Sequence, residues 1–256
     1  MNKKIYIAVI CAFSLLLTVS TGFLIKHYYD SHKQAKIYDS LAEIVDKTPD
    51  GTSEVMNYSG DKTFIPEYQE LYLENNDMVG WLKIDDTKIN YPVMQSKDNP
   101  NFYLKHGFDK KYTNYGCPYV QENCDMEQPS DNIVIYGHNM NDGSMFSALT
   151  KYKSKEFWES HKCITFDTLT DKQNYEVIAA FKTVVYTDNV DSFKYYQFVN
   201  AETAEEFNAY IGKCKELSLY DTGLNAEYGD KLITLSTCEY SRTNGRFVVV
   251  ARLVKE

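Results

Sequence analysis

The sequence LITLSTC-EYSRTNG-RFVVVARLV, residues 232–254, contains two apolar stretches separated by seven mostly polar residues. The first stretch alternates and the second is rich in β-branched residues, so the pattern predicts two strands and a connection between them. If the strands pair as a hairpin, Cys238 at the end of the first lies opposite Arg246 at the start of the second. We therefore expect a thiol and a guanidinium at one end of a β-sheet.

A histidine occupies a comparable place in the sequence. NIVIY at 132–136 predicts a buried strand, and after one glycine His138 stands at the strand's end, where a rigid element can position it. A thiolate attacks a carbonyl carbon, an imidazole transfers protons, and a guanidinium stabilises the oxyanion. Cys238, His138 and Arg246 are thus candidate catalytic residues, with Arg242 in the connection as a rival arginine. A structural cysteine beside a surface arginine is the alternative, and these residues alone leave it open.

Short segments of strand character recur along most of the chain. The predicted strands are 79–84, 89–95, 132–136, 163–166, 175–186, 231–236 and 247–254. Helical patterns are fewer, at 66–76, 145–149 and 201–217; the last has an apolar stripe of Phe207, Tyr210, Ile211 and Cys214. Many short strands with helices between some of them predict a mostly β fold with inserted helices, a barrel or a sandwich.

Composition and charge narrow the class of protein. The 256 residues include 27 Lys and Arg against 36 Asp and Glu, a net charge of −9, so we expect no nucleic-acid partner. Six cysteines are too few for a disulfide scaffold, although Cys117 and Cys124 are close enough in sequence for one loop disulfide. We expect no metal and no cofactor, because His138 and Cys238 lie outside any ligand cluster of the Cys-x₂-Cys type.

Residues 5–25, IYIAVICAFSLLLTVSTGFLI, contain no charged side chain. As a helix they would span about 31 Å, enough to cross a membrane. No A-x-A-like cleavage site follows, which favours a retained anchor over a signal peptide. Lysines flank both ends almost equally and leave the orientation open. We divide the chain into an N-terminus 1–4, a transmembrane anchor 5–25, a stalk 26–62 with one short amphipathic helix, and a catalytic domain 63–256.

Several motifs together resemble one family. TLSTC at 234–238 is similar to the TLxTC pentapeptide of sortases, the membrane-anchored cysteine transpeptidases of Gram-positive bacteria, and Arg246 stands where that family has its arginine. YGHNM at 136–140 resembles the family's histidine motif. The stretches 79–84, 89–93 and 143–146, with the inserted helix 201–217, resemble class B sortases. The resemblance extends from about residue 66 to the C-terminus.

The resemblance implies an eight-stranded sortase-type β-barrel with N-terminal helices and a two-step acyl transfer. Cys238 would be the nucleophile, His138 the general acid and base, and Arg246 the clamp for the oxyanion and the substrate. The expected substrate-binding residues are Ser236, Thr237 and Glu239. The inserted helix 201–217 is expected to wall the peptide groove.

The implied partners are surface proteins that carry a C-terminal sorting signal, an NPxTx-like pentapeptide cleaved after its threonine. A thioacyl-enzyme would form and be resolved by an amine of lipid II or of the peptidoglycan cross-bridge. This chemistry needs an active site outside the cell. The resemblance therefore implies a single-pass protein of the cell membrane with a cytoplasmic N-terminus and an extracellular stalk and catalytic domain.

Other functions compete with this one. An L,D-transpeptidase also has histidine before cysteine, but its SHGC-x-R pattern needs an arginine at position 240, where this chain has Tyr240. A non-catalytic, β-rich surface module would contain Cys238 as a structural residue. A pilus-assembling class C sortase is disfavoured because no Asp-Pro-Trp motif precedes the barrel. Glu239 is a candidate to orient His138, although a solvated loop acid is the favoured interpretation.

Overall fold

A helix of 45 residues, α1 (Lys3–Lys47), begins the part of the chain that the computed structural model describes, residues 3–47, 56–59, 62–185 and 193–255. The chain divides into two compact units, Met1–Ser40 and Leu41–Glu256. The described residues of the first unit, 3–40, belong to α1. The second contains the sheets and every candidate catalytic residue.

Within the described residues, α1 is the one helix long and apolar enough to cross a membrane; a signal sequence near an N-terminus passes the same test. The sequence predicts a short helix in the stalk, separate from the anchor. The structure instead has one helix, α1, which continues without interruption to Lys47. Residues 26–47 contain neither glycine nor proline, so nothing in the sequence interrupts the backbone hydrogen bonds there. The Thr-Pro-Asp-Gly segment expected to end the helix, 48–51, lies outside the described residues.

In the described part of the chain, β1 (Asn57–Ser59) and β2 (Lys62–Thr63) form a small antiparallel sheet, and eight further strands close into a barrel. The barrel strands are β3 (Met78–Lys83), β4 (Asn90–Met94), β5 (Tyr119–Val120), β6 (Asn132–Tyr136), β7 (Cys163–Thr168), β8 (Asn174–Val184), β9 (Leu232–Cys238) and β10 (Gly245–Leu253). Their order around the barrel is β10-β8-β7-β3-β4-β5-β6-β9. This closed eight-stranded barrel confirms the expected fold class.

Two strand pairings decide where the candidate residues lie. β9 and β10 pair antiparallel with Arg246 opposite Cys238, which confirms the predicted hairpin. β6 pairs with β9 in parallel, with Tyr136 opposite Ser236, so both strands end at the same edge of the barrel. The apolar pattern of the sequence predicts each of the two strands but not their pairing, because the strands are far apart in the sequence.

Strand boundaries differ from the predicted ones by a few residues. β10 begins at Gly245, two residues before the predicted start at 247, and Arg246 is its second residue. β8 ends at Val184, and the predicted end at 186 lies outside the described residues. β5 was not anticipated, because a strand of two residues is too short to show alternation.

Helices connect several of the strands. The α-helices after α1 are α2 (Pro66–Glu74), α3 (Lys155–Ser160) and α4 (Ala204–Leu217), and the 3₁₀ helices are Phe102–Leu104, Phe146–Lys153 and Tyr195–Gln197. α2 starts with proline in its first turn, as the sequence predicts. The segment predicted as a helix at 145–149 is instead the longer 3₁₀ helix Phe146–Lys153, and α3 follows it without having been predicted.

The apolar stripe of α4 packs into the core of the second unit. Its members Phe207, Tyr210, Ile211 and Cys214 are all buried, which confirms the predicted stripe, and they cluster with residues of β8 and β10. The Tyr210 hydroxyl forms a 3.0 Å hydrogen bond with Thr234 Oγ1 in β9. Because this hydrogen bond lies within an apolar interface, it favours one packing orientation of α4 against the barrel.

Candidate active site

Cys238, His138 and Arg246 line one cavity of about 400 Å³ at the edge of the barrel. All three side chains are half-buried, so each is held by the protein and still open to a ligand. The structure thus brings together the three residues that the sequence singled out as a nucleophilic set.

The convergence follows from strand pairing. Because β6 and β9 are parallel neighbours, the residues just beyond Tyr136 and the end of β9 emerge at the same edge. Because β9 and β10 are antiparallel, the last residue of β9, Cys238, faces the second residue of β10, Arg246. The barrel backbone, rather than flexible loops, fixes where two of the three groups lie.

Hydrogen bonds attach the loop that carries His138 to the cysteine's strand. Gly137 N donates to Ser236 O at 3.1 Å, and Thr237 Oγ1 donates to Gly137 O at 2.8 Å. One residue after the histidine, Asn139 Nδ2 donates to Cys238 O at 2.9 Å. His138 is therefore flanked on both sides by bonds to β9, which limits its movement relative to the thiol.

The close packing of this loop requires glycine at position 137. A Cβ atom there would lie 2.5 Å from the ring of Phe146, nearer than real Cβ atoms approach a neighbour. Phe146 N also donates to His138 O at 2.8 Å. The 3₁₀ helix that begins at Phe146 is thus in direct contact with the histidine's loop.

A backbone carbonyl, rather than an acidic side chain, binds the ring of His138. Nε2 lies 2.8 Å from Leu104 O, at the end of the 3₁₀ helix Phe102–Leu104. A carbonyl oxygen can only accept, so Nε2 carries hydrogen and Nδ1 is the nitrogen left to exchange a proton. Burial lowers the pKa of His138, although the Leu104 bond acts in the opposite direction. The ring is therefore biased toward its neutral form.

Arg246 is the arginine that reaches the cavity. Its Nη1 donates to Gly245 O at 3.0 Å. Burial raises the pKa of the Tyr119 and Tyr195 phenols to about 12, while the positive charge of Arg246 lowers it in both cases. The charge of the guanidinium therefore lowers the phenol pKa of two tyrosines in the cavity wall. The rival Arg242 is exposed in the β9–β10 connection and does not line the cavity within the described residues.

Ser236 and Thr237, two of the expected substrate contacts, line the same cavity. The Ser236 hydroxyl forms a 2.7 Å hydrogen bond with the Tyr195 hydroxyl, and Thr237 donates to Gly137 O at 2.8 Å. Both residues are buried, so their hydroxyls stabilise the site in this structure. Contact with a substrate remains a prediction for both.

Glu239 differs from its expected role. It is 6% exposed, and its carboxylate accepts from Lys153 Nζ at 2.8 Å and lies 3.3 Å from Lys182 Nζ, so the favoured solvated loop acid is wrong. The hydrogen bond from Lys153, followed by one from Ser241, lowers the pKa of Glu239 to about 2. Among the described residues Glu239 is not part of the cavity lining, and its carboxylate binds these groups rather than His138.

The cavity wall near the inserted segment also differs from expectation. Tyr195 and Tyr196, from the 3₁₀ helix before α4, line the cavity, whereas no residue of α4 does so among the described residues. α4 turns its apolar stripe to the barrel core instead. α4, which was expected to form the wall of the groove, therefore does not line the cavity and instead packs against Tyr195, which does.

The disulfide considered for Cys117 and Cys124 is not formed. Both side chains are buried, and the two thiols donate to different carbonyls, Cys117 to Pro92 O at 3.4 Å and Cys124 to Asn132 O at 3.5 Å. Cys117 also lines the cavity that contains Cys238. In the described ranges, no group of three or more His, Cys, Asp or Glu side chains is arranged to hold a metal ion.

Two members of the site escaped sequence reasoning. The Leu104 carbonyl is a backbone group, and no residue type marks which backbone carbonyl meets a distant histidine. The chain contains 22 tyrosines, so the residue type alone does not mark Tyr195 as part of the site. The run Phe193-Lys194-Tyr195-Tyr196, an aromatic cluster between predicted elements, was the one signal available for it.

This arrangement suits acyl transfer through a thioester. The thiolate is the nucleophilic form of cysteine, and it adds to a carbonyl carbon. A guanidinium beside the thiol can stabilise an oxyanion. An imidazole nitrogen that exchanges a proton can protonate a leaving amine. Fold and site together define the class as a cysteine-dependent acyl-transfer enzyme on a closed β-barrel.

Comparisons with known proteins identify the family within that class. A family profile described as "Sortase domain" matches residues 82–254. The chain is 37% identical to sortase B of Listeria monocytogenes over 190 residues, 73% of this chain and 74% of that protein. It is 29% identical to sortase B of Staphylococcus aureus over 258 residues, 100% of this chain and 99% of that protein.

A solved structure agrees with the sequence relatives. The "Staphylococcus aureus sortase B-substrate complex" is similar with a TM-score of 0.75 at 28% identity, covering 89% of this chain and 99% of that one. The chain belongs to the sortase family, and its enzyme class is that of a cysteine transpeptidase. The resemblance seen in the sequence is thereby confirmed, and the two competing functions, a non-catalytic module and an L,D-transpeptidase, are set aside.

Proposed function

We propose that this sortase cleaves a C-terminal sorting signal and transfers the protein that bears it to an amine, with Cys238 as nucleophile. The observation that carries the proposal is the meeting of Cys238, His138 and Arg246 in one cavity, on three strands or strand ends of the barrel. Each of the three side chains supplies one of the functions that acyl transfer needs.

In the first step, the Cys238 thiolate adds to the carbonyl carbon of the scissile bond, and Arg246 stabilises the oxyanion. The tetrahedral intermediate collapses to a thioester as the carbon–nitrogen bond breaks. His138 Nδ1, which has accepted the proton of the Cys238 thiol, gives that proton to the departing amine, while Nε2 remains bound to Leu104 O. The leaving peptide thus departs as a neutral amine.

In the second step an acceptor amine attacks the thioester. His138 takes a proton from that amine, a new amide bond forms, and the Cys238 sulfur leaves and is reprotonated. No redox step or external cofactor is needed, since one amide is exchanged for another through a thioester. Tyr195 and Tyr196 offer an apolar wall with one hydroxyl already bound to Ser236. An extended peptide of moderate polarity suits such a wall.

The sorting signal we propose is an NPxTx-like pentapeptide, cut after its threonine. The class B resemblance of the sequence supports this choice, as do the matches to proteins named sortase B. One similar solved structure is described as a sortase B-substrate complex, which supports substrate binding by this chain. Surface proteins with such a signal are the proposed clients, and lipid II or a peptidoglycan cross-bridge supplies the proposed amine.

We also propose that the chain is a single-pass protein of the cell membrane. Residues 5–25 would form the anchor within α1, with 1–4 in the cytoplasm, a stalk at 26–62 and the catalytic domain at 63–256 outside. The length and apolarity of α1 support the anchor. The orientation follows from the proposed chemistry, because sorting signals and wall amines meet outside the cell.

A peptide-library experiment tests the proposed function. The full chain, in detergent micelles, is offered NPxTx-like and LPxTG-like peptides with triglycine as the amine, and mass spectrometry identifies the cut site and product. We expect cleavage after threonine and a new amide to triglycine, with none from Cys238→Ala. Turnover by Cys238→Ala at the wild-type rate, or products cut elsewhere, would overturn the proposal.

A further inference from the structure

An ion pair with a buried carboxylate lies directly beside the proposed nucleophile. Glu239, the residue after Cys238, is 6% exposed, and its carboxylate accepts from Lys153 Nζ at 2.8 Å. It also accepts from the backbone and hydroxyl of Ser241, the former at 3.0 Å. A second lysine, Lys182 of β8, lies 3.3 Å away. This cluster is outside the cavity, so contact with a substrate does not explain it.

Lys153 ends the 3₁₀ helix whose first residue contacts the histidine's loop. At its start, Phe146 N donates to His138 O at 2.8 Å. One residue later, the Ser147 hydroxyl donates to Met140 O and accepts from Met140 N, each at 2.7 Å. The helix therefore holds the loop on the C-terminal side of His138 at three points.

The helix itself is fixed on the barrel. Its members Phe146, Leu149 and Tyr152 are fully buried. Tyr220 donates from its hydroxyl to Tyr152 O at 2.9 Å, next to Lys153. A short helix held in this way behaves as a rigid connection, so movement at one end is transmitted to the other.

We propose that Glu239 and Lys153 are positioning residues for transpeptidation, because their ion pair joins the end of the cysteine's strand to the 3₁₀ helix that holds His138. The inference rests on the proposed function of Cys238 and His138. Three hydrogen bonds join the histidine's loop directly to β9, two at Gly137 and one from Asn139 to Cys238 O. The Glu239–Lys153 pair adds a connection of a different kind, from the residue after Cys238 to the helix that holds the other end of the loop.

The energetics of partly exposed ion pairs agree with a role in geometry. Such pairs contribute little net stability, because water weakens the attraction at the exposed partner, here Lys153, whose side chain is 39% exposed. Their directional hydrogen bonds nevertheless specify one arrangement. Transfer of a proton between His138 and the leaving or entering amine is sensitive to displacements of about 1 Å, which can reduce a rate about 100-fold.

Lys182 offers a matched control for Lys153. Both lysines contact Glu239 Oε1, and their side chains are similarly exposed, 42% and 39%. Lys182 lies on β8, opposite Phe247 of β10, so it joins Glu239 to its own sheet and not to the helix that holds His138. Replacing either lysine by methionine removes one positive charge at the same carboxylate, whereas only the Lys153 change cuts the connection.

The test compares kcat and KM of Lys153→Met, Lys182→Met, Lys153→Arg and Glu239→Gln in the full chain, with an NPxTx-like peptide and triglycine. We expect Lys153→Met and Glu239→Gln to lower kcat about 10- to 100-fold with KM within about threefold of wild type. Lys182→Met and Lys153→Arg should keep kcat within about threefold, since both leave a cation on the helix. Thermal unfolding of each variant shows whether it is folded; should Glu239→Gln not fold, the lysine variants decide.

The outcomes separate this inference from the function on which it rests. Equal loss of kcat in the two methionine variants would mean that only the charge matters, and would overturn the positioning role. So would a Lys153→Met enzyme with wild-type kcat. If Cys238→Ala is inactive in the same assay while Lys153→Met is fully active, the proposed function stands and the inference fails. If Cys238→Ala is active, both fail.

Discussion

Arg246 stands directly opposite Cys238 in the antiparallel register of β9 and β10. Residues opposite each other in such a pair project to the same face of the sheet. The guanidinium and the thiol therefore share a face because of the backbone register, and the seven-residue connection between them does not have to place either group. A change in that connection should affect the site less than a change in register.

Replacement of Arg246 should remove most of the activity. We expect Arg246→Ala to lower kcat/KM about 100-fold or more, because the oxyanion loses a fixed positive charge. Arg246→Lys should recover only part of this loss, since an ammonium lacks the planar pair of donors. Steady-state kinetics with peptide and triglycine measure both. The control is Arg242→Ala, in the exposed connection, which should stay within about threefold of wild type. An Arg246→Ala enzyme at that same level would contradict the oxyanion role.

Addition of one carbon at position 137 should disturb the histidine's loop. A Cβ there meets the Phe146 ring at 2.5 Å, so Gly137→Ala should lower the free energy of unfolding by about 1–3 kcal/mol. Gly212 in α4 is the control, since nothing lies within 4 Å of its Cβ position. Gly212→Ala should raise the free energy of unfolding by about 0.5–1 kcal/mol. Urea unfolding measures both, and equal effects of the two substitutions would refute the close-contact argument.

The buried histidine should make stability depend on pH. Burial lowers the pKa of His138 in the folded chain, while in the unfolded chain it returns to about 6.5. Between these two pKa values the unfolded chain binds more protons, so stability is highest above pH 6.5 and falls as the pH is lowered through the window. We expect His138→Gln to lose less unfolding free energy than wild type between pH 7 and pH 5. Parallel curves for the two proteins would show that the histidine does not contribute.

The hydroxyl pair in the cavity wall should act as a unit. Tyr195→Phe removes the 2.7 Å bond to Ser236 and leaves a buried hydroxyl without this partner, at a cost of about 1–3 kcal/mol of unfolding free energy. The double variant Tyr195→Phe/Ser236→Ala should cost less than the sum of the two single changes, because both remove the same bond. Urea unfolding of wild type, the two single variants and the double variant measures the four free energies of this double-mutant cycle. Strict additivity would mean that the two hydroxyls do not interact.

Local patterns predicted much of the barrel. Apolar runs indicated β6 and β7, alternation indicated β9, and the stripe of α4 was visible from four apolar residues at helical spacing. The closed form of the sheet came from the family resemblance of the TLSTC and YGHNM motifs, since periodicity alone left a barrel and a sandwich open. Partnership between β6 and β9 has no local signature, because nearly 100 residues separate them.

The site was predictable to the extent that it depends on residue chemistry. A thiol, an imidazole and a guanidinium at strand ends could be recognised from their positions in the sequence, and the structure places them in one cavity. The environment of Glu239 could not be recognised, because its burial depends on Lys153 and Lys182, residues from two other segments. An acid in a polar hairpin connection has no feature that distinguishes a paired carboxylate from a solvated one.

The parallel pairing of β6 with β9 has a consequence for the order of assembly. Contacts between residues so distant in the chain form late in folding, since the intervening loop must first be closed at an entropic cost. A nascent or truncated chain that ends before the last hairpin carries the imidazole but neither the sulfur nor the guanidinium. Such a chain lacks two of the three candidate catalytic groups, so we expect it to be inert toward peptides.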